Sequence, residues 1–310
     1  MLDKNTNQPV FILGAPRSGT TFLASLLEKT EYGAPFETHF ITKYYKKLSK
    51  YSDINQYANF ERLLSDILKE RPVMQWRLDI DKTQFYDDLG ESFTYAQMVN
   101  QLCLKVAHSN GFANWGDKTP HYLNDLDILY TLFPNSKYIY IIRDGRDVAL
   151  SLLKKDWGPN TIYHCAQYWS ELNRHNQILT NLEKSGQLYQ LQYEDLLDNV
   201  NVHVKNIFTF LDTEYPLDGQ LDFSQSVVSG NYNKWEKVMT KRQIEIFESV
   251  AGETLERFGY KLVSTRRNIR FYELFAYKLY NLFLRANHLF KSNVIDFIKI
   301  KFFGMQPFND

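Results

Sequence analysis

The chain has 310 residues, 44% of them hydrophobic and 23% charged, which is enough for a full core and unlike a disordered polypeptide. Its 36 basic and 36 acidic side chains cancel, so no whole-molecule field draws in nucleic acid and any anion site must be local. Two cysteines, Cys103 and Cys165, exclude a disulfide framework; with no uncharged apolar run of about 18 residues and a short polar start, the expectation is a cytoplasmic protein without a membrane span.

In chain order, Val10 to Leu13 is an apolar run ending at Gly14 and reads as a buried strand. A loop follows, and Thr20 to Lys29 carries Phe22, Leu23, Leu26 and Leu27 at helical spacing, which opens a βαβ unit. Residues from about His39 to Glu70 read as polar helix with a break at Tyr51 to Asn55. Ser92 to Ser109 reads as a helix with Phe93, Ala96, Val99, Leu102 and Val106 on one side. A helix from Leu123 to Phe133 ends at the turn Pro134-Asn135-Ser136, and Tyr138 to Ile142 is apolar on both faces, as buried parallel strands are. A helix from Gly145 to Lys155, one long helix from Ile162 to Glu183, a strand at Leu188 to Gln192 and further helix to Leu211 complete the pattern. The alternation predicts an α/β, P-loop-like three-layer fold with a central parallel sheet flanked by helices.

Residues 14–21 read Gly-Ala-Pro-Arg-Ser-Gly-Thr-Thr. The two glycines have the spacing of a phosphate-binding loop, in which backbone N–H groups converge on an anion at a helix N-terminus. Where a nucleoside triphosphatase carries lysine, this chain has Thr20, and the positive charge has moved to Arg17. With no strand-end aspartate suited to Mg²⁺, the loop is expected to hold its anion without a metal.

Several further segments occur in a telling order: Leu132-Phe133-Pro134-Asn135-Ser136-Lys137 through Ile142-Arg143-Asp144-Gly145-Arg146-Asp147 to Ser151, Gly116-Asp117-Lys118-Thr119-Pro120, Tyr193-Glu194-Asp195-Leu196, and the Trp235 region. Together with the Arg17 loop they resemble the sulfotransferase superfamily, its bacterial and tyrosylprotein-type members in particular, over about residues 10 to 260. The resemblance implies 3′-phosphoadenosine 5′-phosphosulfate as co-substrate. The loop residues Arg17, Ser18, Gly19, Thr20 and Thr21 would take the 5′-phosphosulfate, and Arg143 with Ser151 the 3′-phosphate. Tyr193 would contact the nucleotide, and Lys234 would stand in the late basic loop, although Gly230-Asn231-Tyr232-Asn233-Lys234-Trp235 departs from the arginine-lysine-glycine form of cytosolic members. Arginine's planar fork suits phosphate independently of the resemblance. The alternative for Arg143, Asp144 and Asp147 is to cap the following helix, and Asp144 suits that position. Arg146 and Asp147 read as salt-bridging residues and Trp235 as a core anchor.

Sulfuryl transfer builds negative charge on the bridging and equatorial oxygens, so the catalyst needs fixed cations there and a base on the acceptor hydroxyl. Arg17 and Lys118 are the candidate cations. Glu37 stands 20 residues after Arg17, a separation similar to that of the base in tyrosylprotein-type members. His39 is its rival, because histidine titrates near neutrality and is the base in cytosolic small-molecule members. The polar, aromatic stretch from His39 to Phe93 is expected to shape the choice of hydroxyl-bearing acceptor: a glycan, a lipid-linked or a small-molecule hydroxyl first, with a tyrosine also fitting. Competing readings are a P-loop small-molecule kinase, opposed by Thr20, and a non-catalytic nucleotide-binding relative, opposed by the presence of Lys118 and Glu37.

The resemblance ends near Leu262, dividing the chain into a catalytic domain at 1–262 and an extension at 263–310. Residues 266–301 carry Arg266, Arg267, Arg270, Lys278, Arg285, Lys291, Lys299 and Lys301 against Glu273 and Asp296. Phe271, Phe275, Leu279, Leu282, Ala286 and Leu289 share a helical face, with Lys278, Arg285 and His288 opposite. Three occupants stand open for that face: the inner surface of the membrane, the catalytic domain, or a second copy of the chain.

Overall fold

Four parallel strands, β1 (Val10–Leu13), β2 (Gly116–Asp117), β3 (Lys137–Ile142) and β4 (Leu188–Gln192), form one sheet in the order β2-β1-β3-β4. This is the arrangement in the computed structural model, which describes residues 8–33, 35–155, 158–214, 223, 230–265, 269–284 and 286. β1 is central: Val10 and Phe11 align with Gly116 and Asp117 on one side, and Val10 to Leu13 with Lys137 to Tyr140 on the other. Every residue of β1 is buried, as is β3 from Tyr138 onward, which explains why both strands read as unbroken apolar runs.

The chain divides into two compact units, residues 1–143 with 172–231 and residues 144–171 with 232–310. In the first, Ile12, Ile139, Ile141 and Leu191 meet helix Thr20–Leu26 through Leu23 and Leu26, and helix Val200–Leu211 through Val204, Ile207 and Phe208. On the other face Phe11 packs against Tyr138, Trp115 and Phe133 at centroid distances of 5.4, 5.8 and 5.7 Å. Helical layers therefore cover both sides of the sheet, and the predicted α/β architecture holds.

The strands predicted at Val10 to Leu13 and Leu188 to Gln192 form as expected. The predicted long helix from Ile162 to Glu183 does not: it is two helices, Ile162–Leu172 and Gln177–Lys184. Asparagine chemistry breaks it. The Asn176 side chain accepts from Ile178 N and caps the second helix, while buried Asn173 accepts from Tyr140 Oη at 2.8 Å. The stretch after His39 is likewise divided, into helix Phe40–Tyr45, a 3₁₀ turn at Leu48–Tyr51 and helix Tyr57–Leu68. Among the described residues no helix is long and apolar enough to cross a membrane.

The second unit is organised by a buried ion network. Arg146 is 2% exposed and gives Nη2 to Asp144 Oδ2 at 2.7 Å and Nη1 to Glu248 Oε1 at 2.6 Å. Its guanidinium lies 3.6 Å from the centroid of Trp235, whose backbone N–H donates to Asp147 Oδ1 at 2.9 Å. Glu248 also accepts from Ser264 N at 2.9 Å, so one arginine ties helix Gly145–Leu152 to helix Lys241–Arg257 and to the chain beyond it. The salt-bridging reading of Arg146 and the core-anchor reading of Trp235 are both correct. Replacing Arg146 with methionine leaves two carboxylates buried without their cation. The expected cost is about 3–5 kcal/mol, read as a fall in the urea midpoint at unchanged slope.

Candidate active site

All four strands end on the same edge of the sheet, and each delivers a predicted site residue there: the Gly14 loop after β1, Lys118 after β2, Arg143 after β3 and Tyr193 after β4. The loop after β1 needs both of its glycines. A Cβ on Gly14 would sit 2.9 Å from the Ile141 carbonyl oxygen of β3, and one on Gly19 would sit 2.4 Å from Tyr193 Cδ2. Gly19 also takes φ 97°, open to glycine at little cost, and Arg17 takes φ 73°. Helix Thr20–Leu26 begins at once, so its first N–H groups face the loop. Ser18 is buried, and its Oγ has no hydrogen-bond partner among the described residues. An orphaned hydroxyl inside a cradle of helix N-terminal amides suits an anion such as a phosphosulfate.

The lysine missing from the loop is supplied by the neighbouring strand. Lys118, largely buried, brings Nζ to 3.4 Å from Thr21 Oγ1 and forms an ion pair with Glu37 Oε1. Glu37 reaches it because Phe36 runs parallel to β2: Phe36 N donates to Gly116 O at 3.2 Å and Lys118 N to Phe36 O at 2.8 Å. Gly116 permits that approach, since a Cβ there would meet Pro35 Cγ at 2.9 Å. The other Glu37 oxygen bonds His39 Nε2 at 2.8 Å. These contacts, the histidine bond first and then those of Lys118, outweigh burial and hold the Glu37 carboxyl at a pKa of about 2. The His121 ring lies 6.2 Å from that of His39, and burial followed by the neighbouring histidine lowers its pKa.

Beneath this pair lies a residue quoted with the motif but given no role from sequence. Asp117 is 1% exposed and accepts from Thr119 N at 2.7 Å, Thr38 N at 2.9 Å and Thr119 Oγ1 at 3.0 Å. Burial pushes its pKa up to about 6 against those three donors. Thr38 Oγ1 meets Tyr122 Oη at 2.5 Å, and Tyr122 Oη accepts from Ile41 N at 3.1 Å. One carboxylate thus fastens the backbone on either side of Glu37 and Lys118. The Asp-Lys-Thr order, an acid two residues before a hydroxyl, was the available signal.

Arg143 donates Nη1 to Arg17 O at 3.2 Å and Nη2 to Asn231 O at 2.8 Å, and lies 4.3 Å from the Tyr193 ring centroid. Asn231, quoted with the late basic loop but given no role from sequence, also donates Nδ2 to Tyr193 Oη at 2.8 Å. Asp144 does cap the next helix, accepting from Arg146 N at 2.9 Å. Ser151, near the end of helix Gly145–Leu152, and exposed Lys234, before helix Trp235–Val238, belong to the second unit. No group of His, Cys, Asp and Glu placed to hold a metal occurs among the described residues.

The fold and this edge define a class: an α/β protein with a lysine-less phosphate loop, its missing charge provided from the next strand. A profile of the Sulfotransferase family matches residues 9–217, and the chain belongs to that family. It is 24% identical to protein-tyrosine sulfotransferase A of Caenorhabditis elegans over 216 residues, 67% of this chain and 50% of that protein. A Caenorhabditis briggsae protein provisionally named a protein-tyrosine sulfotransferase is 22% identical over 268 residues, 82% of this chain and 85% of its own length. An uncharacterized Aquifex aeolicus protein is 25% identical over 213 residues, and there the match spans only 25% of the relative. Among solved structures, the sulfotransferase domain of the curacin biosynthetic pathway superposes with TM-score 0.54 at 18% identity, over 84% of this chain and all of that one. The sulfotransferase domain of the Synechococcus PCC 7002 olefin synthase gives 0.53 at 20%, over 85% and 98%. Both likenesses are to the fold.

Exchanging Asp117 for asparagine leaves one acceptor where three donors converge. Stability should fall by about 1–3 kcal/mol in urea titration, and turnover should fall further than donor affinity because Glu37 and Lys118 lose their footing.

Proposed function

We propose that the chain transfers the sulfuryl group of 3′-phosphoadenosine 5′-phosphosulfate to the hydroxyl of a glycan, a lipid-linked or a small-molecule acceptor. The observation that carries this reading is Lys118, a cation from a second strand that touches both the loop helix, at Thr21, and Glu37. The donor supplies an activated sulfuryl group and a stable bisphosphate leaving group. In this reading Arg17, Ser18, Gly19, Thr20 and Thr21 hold its 5′ end, and Arg143 with Ser151 and Lys234 its 3′-phosphate. Tyr193 meets the nucleotide beside Arg143. Arg17 and Lys118 face the charge that grows in transfer, where one fixed donor is worth on the order of 10²–10³ in rate.

Glu37 is the proposed base, with His39 holding its second oxygen. At a pKa of about 2 the carboxylate is a weak base at rest. A bound anion draws Lys118 toward itself and places negative charge beside Glu37, and both changes raise its proton affinity. The nematode relatives are named for protein tyrosine, but identities of 22% and 24% leave the acceptor of this chain its own. Two free, buried thiols, Cys103 and Cys165, accord with a cytoplasmic setting.

Calorimetry with 3′,5′-bisphosphoadenosine, beside ATP with Mg²⁺, tests the donor. Metal-free binding of the bisphosphate is expected, weakened about ten- to a hundred-fold by Arg143→Ala. Preference for ATP with Mg²⁺ would replace this reading with the kinase.

The pH profile tests the base. With Glu37 in that role, kcat/KM has no acid limb near neutrality, and Glu37→Gln costs about 10²–10⁴ in kcat while the bisphosphate still binds. His39→Ala removes the largest cause of the depressed pKa, so the acid limb should rise toward the ordinary carboxylate range. A limb near neutral pH that vanishes with the activity in His39→Ala would make histidine the base.

A further inference from the structure

Residues 271–284 form a helix of the second unit that is apolar on its open side as well as its packed one, unlike a soluble surface helix. One side is engaged. Glu273 is held by Arg242, whose Nε donates to Glu273 Oε1 at 3.0 Å, and the Tyr277 ring stacks on Tyr163 at 5.8 Å with an 11° interplanar angle. At about 3.6 residues per turn, the residues on the opposite half of the circumference are Phe271, Tyr272, Phe275, Lys278, Leu279, Leu282 and Phe283. All are exposed: Phe271 at 82%, Phe275 at 60% and Leu279 at 56%. Lys278, expected on the face opposite the apolar residues, instead lies beside Phe271 and Leu282 on the same half, because seven residues make nearly two full turns, and Arg270 stands at the start of the helix.

A contiguous apolar stripe of this size marks a surface built to be covered. Charge decides by what. Across 266–301 the sequence carries eight basic residues against two acidic, in a chain whose total is zero. One of those two acids, Glu273, is taken up by Arg242. A second copy meeting this face about a two-fold axis would set the basic segment against itself. An anionic lipid surface accepts both halves of the pattern, the aromatic stripe below the headgroups and the lysines and arginines among them.

We propose that helix 271–284 is a membrane-surface helix that docks the protein on anionic phospholipid. Of the predicted extension, Arg266, Arg267, Arg285, His288, Leu289, Lys291, Asp296, Lys299 and Lys301 lie outside the described residues, and they enter here only as sequence charge. The proposal is independent of the donor and of the base.

The test is flotation of the full chain with vesicles of phosphatidylcholine alone and of equal parts phosphatidylcholine and phosphatidylglycerol. Binding to the mixed vesicles is expected, weakened by salt and about ten-fold or more poorer on phosphatidylcholine alone. The double variant Phe275→Glu with Leu279→Glu should abolish it while leaving bisphosphate binding and the thermal midpoint unchanged, since both positions are exposed. If that variant fails to fold, the lipid and salt dependence of the wild type still decides. Absence of flotation, equal binding to both vesicles, or undiminished binding by a folded double variant overturns the proposal. So does a wild type that ignores vesicles but sediments as a dimer the double variant dissociates, which would assign the face to a second copy.

Discussion

Parallel pairing on both sides of β1 is the constraint from which the site follows. Parallel strands all end at the same edge of a sheet, and connections there are free to carry chemistry because the hydrogen-bond ladder no longer claims their backbone. Here the β1 loop supplies the anion cradle, β2 the lysine, β3 the arginine and β4 the tyrosine. None of the four is near another in sequence. Their meeting depends on register: Phe11 aligned with Asp117 sets the depth of Lys118, and Ile142 aligned with Gln192 brings Arg143 level with Tyr193.

Lysine's displacement from the loop has a chemical meaning. In a triphosphatase the loop lysine works with a metal on a chain of phosphates. In the proposed reading a sulfuryl donor presents less charge at the reacting end, and one cation shared between donor and base can serve both. Lys118 in contact with Glu37 pairs a largely buried ammonium with a carboxylate that is 39% exposed, a pair that a bound donor would compete for in the proposed reading. The low pKa of Glu37 has the His39 hydrogen bond as its largest cause, with Lys118 adding to it. Asp117 makes the arrangement rigid by spending three acceptor bonds on backbone and hydroxyl groups that flank the pair.

Much of this was legible in the residues themselves. A fully buried strand announces itself as an apolar run, as β1 does, and the half-buried β4, Leu-Tyr-Gln-Leu-Gln, is legible to the residue as well. Arg17, Lys118 and Arg143 stand in loops that leave strands, where chemistry is expected. What escaped was two-residue or side-chain structure. β2 is only Gly116–Asp117, too short for any periodicity. The helix break at Asn173 to Asn176 turns on one side chain capping and another bonding Tyr140, neither visible as a pattern. Asp117 and Asn231 act on groups 79 and 88 residues away, Thr38 and Arg143, and a single sequence carries no trace of such partners.

Two arginines three residues apart show how local charge bookkeeping separates structure from function. Arg146 directs its fork at Asp144 and Glu248 and its face at Trp235, a fully compensated cation inside the second unit. Arg143 donates to the carbonyls of Arg17 and Asn231 and covers Tyr193, all of them at the edge where the strands end. A guanidinium fixed by carbonyl partners is already oriented, which in the proposed reading lowers the reorganisation that binding an anion would cost. The same arithmetic applies to helix 271–284. Its acid is held by Arg242, which also pairs with Glu245, while Arg270 and Lys278 remain at the surface beside the open aromatic face. A chain with zero net charge therefore keeps basic side chains along one exposed aromatic helix, where an anionic surface is what the proposed docking fits.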